Sequence, residues 1–349
     1  MNKRSLLPVL STALLAPAFL AGQVYAEEAT TPAESSAVAA TPAPLATPAP
    51  VESPAVPETS VTSEAIAPAE VPSAPAESPS APAESPSAPA ESPKSEEKDT
   101  VILHTNDVHG RIVEEKGVIG DAKLATVIEQ ERAKSNQNTL VVDAGDAFQG
   151  LPISNSTKGE ARAEILNQMQ YDAMAVGNHE FDFGLDEAKK YKEILKFPLL
   201  SSNTYVNGAR LFDASTIVDK DKTVEGDELV VIGVTTPETA TKTHPKNVKG
   251  VTFTDPISEV NKVIEEVQAK ARAEGKDYKH YVVLAHLGVD TTTPVEWRGS
   301  TLAEALSKNP RLKGKRVTVI DGHSHTVEST TYGDNVTYNQ TGSYLHNVG

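Results

Sequence analysis

From residue 99 onward the chain alternates between two hydrophobic rhythms. Short β-branched or apolar runs at 100–103, 139–142, 173–176, 229–235, 280–285, 317–320 and 336–339 predict strands, because unbroken Val, Ile and Leu suit a pleated segment covered on both faces. Between them, stretches at about 120–134, 159–170, 185–196, 258–274 and 300–308 place apolar residues at helical spacing and predict amphipathic helices. Strands alternating with helices predict an α/β domain whose sheet strands are covered by helices. In open α/β sheets, binding sites gather where strands end and loops begin.

The residues before 99 follow neither rhythm. Residues 1–26 carry Lys3 and Arg4, an apolar stretch at 6–20 and the small-residue site Val24-Tyr25-Ala26, the pattern of a secretory signal peptide cleaved ahead of Glu27. Cleavage would leave no transmembrane segment. Residues 27–98 are Pro, Ala, Ser, Thr and Glu without an aromatic, and 73–93 are three copies of SAPAESP. No apolar face recurs there and proline opposes a helix, so the expectation is a disordered or polyproline II-like linker, reaching about 220 Å if fully extended. A spacer threading the cell wall and a solvated tail without a partner are both open readings of it.

Charge and cysteine content narrow the classes. The formal charge is -16, but residues 27–98 hold twelve Glu against two Lys, and residues 99–349 carry only -8. That balance is ordinary for a soluble domain and disfavours nucleic acid as a partner. The chain has no cysteine, which excludes disulfides, thiolate metal sites and cysteine nucleophiles.

Five stretches place Asp, Asn or His just after a hydrophobic run: HTNDVHGR at 104–111, DAGDAFQG at 143–150, GNHEFD at 177–182, AHLG at 285–288 and DGHSH at 321–325. Taken as donors, Asp107, His109, Asp146, Asn178, His286, His323 and His325 supply enough imidazole and oxygen ligands for two divalent cations sharing a carboxylate. A sulfur-free set of this kind favours zinc, manganese, iron or a similar ion. An alternating backbone would put Asp107 and His109 on one side of the chain, and His323 and His325 likewise. Two metals about 3.5–4 Å apart suit displacement at phosphorus by a shared hydroxide. His179, oriented by Asp182 three residues on, is the candidate to stabilise the transition state or protonate the leaving oxygen. His104, His244, His280 and His346 are expected to be locally bonded or exposed, Asp143 and Asp321 to support neighbouring donors, Glu180 to brace its turn and Trp297 to pack; Arg111 could touch a substrate phosphate, a surface ion pair being the more common fate of such a residue.

The runs VILHTNDVHGRI at 101–112 and YDAMAVGNHEFD at 171–182 resemble the two signatures of the 5'-nucleotidase family within the calcineurin-like metallophosphoesterases. The resemblance covers about residues 100–349 and implies a sandwich of two mixed sheets flanked by helices. It also implies that Asp107, His109, Asp146 and His325 hold one metal and that Asp146, Asn178, His286 and His323 hold the other, with His179 and Asp182 as the catalytic pair. At position 325 some relatives carry glutamine, so a histidine there changes the ligand type. Family members continue into a second domain that stacks the base and grips the phosphate, and on that pattern a chain ending at Gly349 is expected to be a fragment.

The leading expectation is therefore an exported 5'-nucleotidase, secreted or at the cell surface, acting on nucleotides such as AMP. Hydrolysis of 2',3'-cyclic nucleotides or UDP-sugars is a relative of that reading. A surface interaction protein carrying a weakly active domain is the reading from another class.

Overall fold

The computed structural model describes residues 98–349; the expected leader and the SAPAESP linker lie outside the described residues. Strands β1 (Asp99–Thr105), β2 (Gln137–Asp143), β3 (Ala173–Ala175) and β4 (Leu199–Leu200) pair in that order, all parallel. A small antiparallel sheet joins β5 (Thr204–Val206) to β6 (Ala209–Arg210) and β9 (Val251–Phe253). The largest sheet contains β7 (Ser215–Val218), β8 (Leu229–Thr235), β10 (His280–His286), β11 (Arg316–Ile320), β12 (Val327–Tyr332) and β13 (Val336–Thr341), in the order β12-β13-β11-β10-β8-β7. Its four central strands are parallel, and β7 and β12 close the edges antiparallel. The helices are α1 (Asp121–Arg132), α2 (Pro152–Asn155), α3 (Glu160–Gln168), α4 (Leu185–Ile194), α5 (Thr239–Lys242), α6 (Pro256–Ala273) and α7 (Gly299–Ser307).

Side-chain alternation along the strands decides the layers. Leu140 and Val142 of β2, Ala173 and Ala175 of β3 and Leu200 meet Leu229 and Val231 of β8, Val282 and Leu284 of β10 and Ile320 in one core between the two large sheets. The intervening residues point outward: Val141 and Met174 pack with Leu124, Ile128, Ala163 and Leu166 of α1 and α3. On the far side Val230, Ile232, Val234, Val283 and Ala285 pack with Val260, Val263 and Ile264 of α6 and Leu302 and Leu306 of α7. Because successive strand residues face opposite layers, the central strands must be apolar throughout, which is why β8 is buried at all seven positions. The result is a helix–sheet–sheet–helix sandwich. Helix α6 starts where it does because Asp255 accepts the Ser258 amide at 2.8 Å and Pro256 occupies the first turn, where a missing N–H costs nothing.

Register aligns the strand ends. Thr105 lies beside Asp143, Leu284 beside Ile320 and His286 beside Thr235. The loops that follow β1, β2, β3, β10 and β11 therefore open at one end of the sandwich, and the five polar motifs lie on them.

Candidate metal centre

Backbone strain marks the same loops. Asp107, His109, Asp146, His323 and His325 all adopt left-handed conformations, with φ between 50° and 75°, which cost a non-glycine residue energy and persist only where the surroundings hold them. Neither Asp107-Val108-His109 nor His323-Ser324-His325 is an alternating segment, as the sequence had suggested. Left-handed turns aim these side chains, while Val108 is fully buried between its polar neighbours. Close approach of loops adds a requirement at Gly145, whose φ is 97° and where a Cβ would come within 2.8 Å of both the Gly177 amide and His286 Nδ1.

The turns gather all seven expected donors. Asp107, His109 and His325 form one group and Asp146, His286 and His323 a second, the donor atoms within each lying within 4.8 Å of one another. His286 Nε2 is 3.0 Å from Asp146 Oδ2 and 3.2 Å from Asn178 Oδ1. His109 Nε2 is 3.3 Å from His325 Nε2 and 4.0 Å from Asp146 Oδ2, so the Asp146 carboxylate reaches both groups. His325 Nε2 is 3.5 Å from Asp107 Oδ1.

The tautomers test whether cations fit. His286 Nδ1 lies 2.8 Å from the Ala144 carbonyl and His109 Nδ1 3.1 Å from the Gln149 carbonyl. A carbonyl can only accept, so both Nδ1 atoms carry the proton and both Nε2 atoms of the neutral rings present lone pairs to the cluster. There they face carboxylate, amide oxygen or another imidazole nitrogen. Without positive charge that arrangement repels. At His286 the protein alone can supply the charge by protonating the ring: burial opposes it, yet the charge and hydrogen bond of Asp146 and the charge of Asp107 raise its pKa to about 10. Divalent cations between the lone pairs satisfy the same demand with every donor in its ordinary state, so the donor set fits them.

His179 and Asp182 stand beside this cluster. His179 Nδ1 lies 2.6 Å from Asp182 Oδ2, and the His179 and His109 ring centroids are 5.2 Å apart. Burial works against charge on His179, but the Asp182 hydrogen bond and the Asp146 charge outweigh it and raise its pKa to about 9. Glu180 points the other way and is fully buried. Its Oε2 accepts the amides of Asp146 at 2.9 Å and Gly177 at 2.7 Å, and its Oε1 accepts that of Ala147 at 2.9 Å.

Residues 100–327 match the calcineurin-like phosphoesterase family. The chain belongs to that family. Its members are metal-dependent phosphoester hydrolases with dinuclear centres. Among similar curated proteins, a 5'-nucleotidase of Vibrio cholerae is 40% identical over 50% of this chain and 32% of its own length. A snake venom 5'-nucleotidase of Naja atra is 34% identical over 65% of this chain and 41% of its own length. Among solved structures, the 5'-nucleotidase precursor of Thermus thermophilus superposes with a TM-score of 0.55 at 26% identity, covering 71% of this chain and 49% of that one. A crystal structure from Staphylococcus aureus gives 0.59 at 24% identity, covering 72% of this chain and 50% of that one, and supports the fold alone. The chain thus spans a third to two-fifths of the length of these curated relatives.

The cleft over this calcineurin-like centre has a volume of 490 Å³ and is lined by His109, Asp146, Asn178, His179, His323 and His325 together with Arg111, Lys242 and Tyr344. The last two were not singled out in the sequence. Arg111 differs from its expected surface ion pair: its guanidinium lies 4.8 Å from the centre of the Tyr344 ring, and its buried Nε has no protein partner. Tyr344 in turn packs against His109 and His325 at 5.5 and 5.2 Å between ring centroids. Three further supports went unread. Thr243 donates to Asp182 Oδ1 at 2.6 Å, the Asn247 amide to the Asp182 carbonyl at 2.8 Å, and Glu238 Oε2 lies 3.1 Å from His323 Nε2. All three lie on the polar segment after β8, where no periodicity marks them. Asp143 accepts Thr105 Oγ1 and the Gly145 amide, and Asp321 accepts the Leu287, Gly288 and Gly322 amides and the Tyr338 hydroxyl, so each braces the loop of a donor. His104 is neither exposed nor bonded through its ring Nδ1 but buried without a partner there.

Proposed function

We propose that residues 99–349 form the catalytic domain of an exported 5'-nucleotidase that hydrolyses nucleoside monophosphates such as AMP to nucleoside and phosphate. The observation that carries it is one cleft in which two donor groups share Asp146 and the His179–Asp182 pair stands alongside. The names of the similar proteins support the nucleotide as substrate, and the leader pattern at 1–26 supports action outside the cell, secreted or at the cell surface. Among the described residues no helix is long and apolar enough to cross a membrane.

Two divalent ions, zinc, manganese or similar, would be held by Asp107, His109, Asp146 and His325 and by Asp146, Asn178, His286 and His323, and when bound they supply Lewis-acid polarisation of phosphoryl oxygens and activation of water. The protein's own groups do the rest. Asp182 fixes the proton on His179 Nδ1, leaving the charged ring's Nε2–H to be delivered to the departing nucleoside oxygen. The Arg111 guanidinium and Lys242 Nζ offer donors at the cleft wall for phosphate oxygens.

The test is phosphate release by the purified full chain from AMP and from an aryl phosphate, with manganese or zinc, beside His179→Ala. Loss of the general acid is expected to lower kcat by about 10²–10⁴-fold. Metal-loaded wild-type protein that releases phosphate from neither ester would overturn the assignment.

A further inference from the structure

Three histidines of the centre are fixed in two different ways. His109 and His286 give their Nδ1 protons to backbone carbonyls. His323 instead meets a carboxylate through its Nε2, at 3.1 Å from Glu238 Oε2. Glu238 is well placed to hold it: its side chain is only 11% exposed, the same oxygen accepts Thr293 Oγ1 at 2.7 Å, and its carbonyl, just before α5, accepts the Thr241 and Lys242 amides of that helix. A carboxylate only accepts, so Nε2 carries the His323 proton and Nδ1 keeps the lone pair. Lys242, 3.7 Å away and 40% exposed, is too solvated to cancel the Glu238 charge.

We infer that Glu238 is a positioning residue of the metal centre: it makes Nδ1 the donor of His323 and places an extra negative charge behind the Asp146, Asn178, His286 and His323 site, rendering that site the tighter of the two. The contrast in burial points the same way. His286 is fully buried and the His323 side chain 5% exposed, whereas the other group ends on His325, whose side chain is 34% exposed. A carboxylate behind an imidazole raises the basicity of its donor nitrogen and holds the ring against rotation, which is worth about 10–100-fold in metal affinity in comparable sites. This role rests on the two-metal reading above, and the experiment separates the two.

The full chain is stripped with a chelator and titrated with manganese or zinc by calorimetry, with bound ions counted by elemental analysis, for wild type, Glu238→Ala and Glu238→Gln. Wild type is expected to bind two ions, one more tightly. Glu238→Ala is expected to weaken the tighter site by about 10–100-fold and leave the other in place. The glutamine, which keeps an acceptor oxygen but no charge, should fall between them. A purely structural role would lower the unfolding temperature without moving metal affinity. Wild type with two ions and Glu238→Ala with the same two affinities overturns the role of Glu238 alone, as does equal weakening of both sites. Wild type that binds no ion overturns the centre and this role together. If Glu238→Ala fails to fold, Glu238→Gln carries the test, and wild-type affinities in that variant overturn the inference.

Discussion

Replacing Glu180 by glutamine exchanges a carboxylate for an amide of nearly the same shape at the point where the β2 and β3 loops are tied together. In the protein this one side chain accepts three backbone amides, those of Asp146, Gly177 and Ala147, at 2.7 to 2.9 Å, and none of it reaches solvent. An amide has a single oxygen. Turned to keep the two bonds on the Oε2 side, it must point its NH₂ at the Ala147 N–H, so one charge-assisted bond is lost and two donors face each other. A hydrogen bond to a charged group contributes about 1.5–3 kcal/mol and a buried unsatisfied donor costs about 1–3 kcal/mol, so Glu180→Gln should destabilise by about 2.5–6 kcal/mol. Glu180→Ala orphans all three amides and leaves a cavity, and should cost more, about 4–8 kcal/mol. Urea unfolding of metal-free protein reads both, free of any loss of bound ions. A glutamine variant within about 0.5 kcal/mol of wild type, the range of an ordinary surface change, would refute the view that this carboxylate holds Asp146 in its left-handed turn.

Two other perturbations probe separate layers. Thr243→Val removes the hydroxyl bonded to Asp182 Oδ1 while keeping the side-chain volume; losing about 1–2 kcal/mol of orientation at the proposed catalytic pair should lower kcat by about 5–30-fold, with bound metal unchanged, and an undiminished kcat would show that Asp182 needs no such support. Burial lowers the pKa of His104 from 6.5 to about 4, so between those values the unfolded chain binds the proton and the folded one does not. The stability is complete above pH 6.5 and is lost as the pH falls toward 4, by about 3 kcal/mol; His104→Asn should flatten that part of the urea-derived stability–pH curve, and an unchanged slope would place the acid sensitivity elsewhere.

How far the sequence could be read depended on whether a feature is local. The span of β8 was legible to the residue, because a strand covered on both faces needs an unbroken apolar run and nothing else in the chain competes for that pattern. Helix α6 was legible from 258 onward for a similar reason, its buried Val260, Val263 and Ile264 following helical spacing, while its Asp255-Pro256 start went beyond the expected span. Strand β12 was missed because only one of its faces is covered: Val-Glu-Ser-Thr-Thr-Tyr alternates exposure with partial burial and contains little that is apolar. Strand β4 is two residues long, below what any period can show.

At the site, the residue types were legible and their geometry was not. Asp107, His109, Asp146, Asn178, His286, His323 and His325 stand out as polar residues at the ends of apolar runs, but the left-handed turns that aim five of them arise from contacts between loops, such as the Glu180 bonds to the β2 loop, that no single loop encodes. The same holds for supporting groups. Glu238 and Thr243 lie in a segment that reads as any solvated polar stretch; what gives them roles is the strand order, which places the end of β8 beside β10 and next but one to β11, and so within reach of His323. Arg162 is the limiting case: an arginine on a short helix that sequence would leave in water is fully buried on Asp121, across 41 residues of chain. A donor can be recognised by what precedes it, whereas a partner is defined only by what the fold puts opposite.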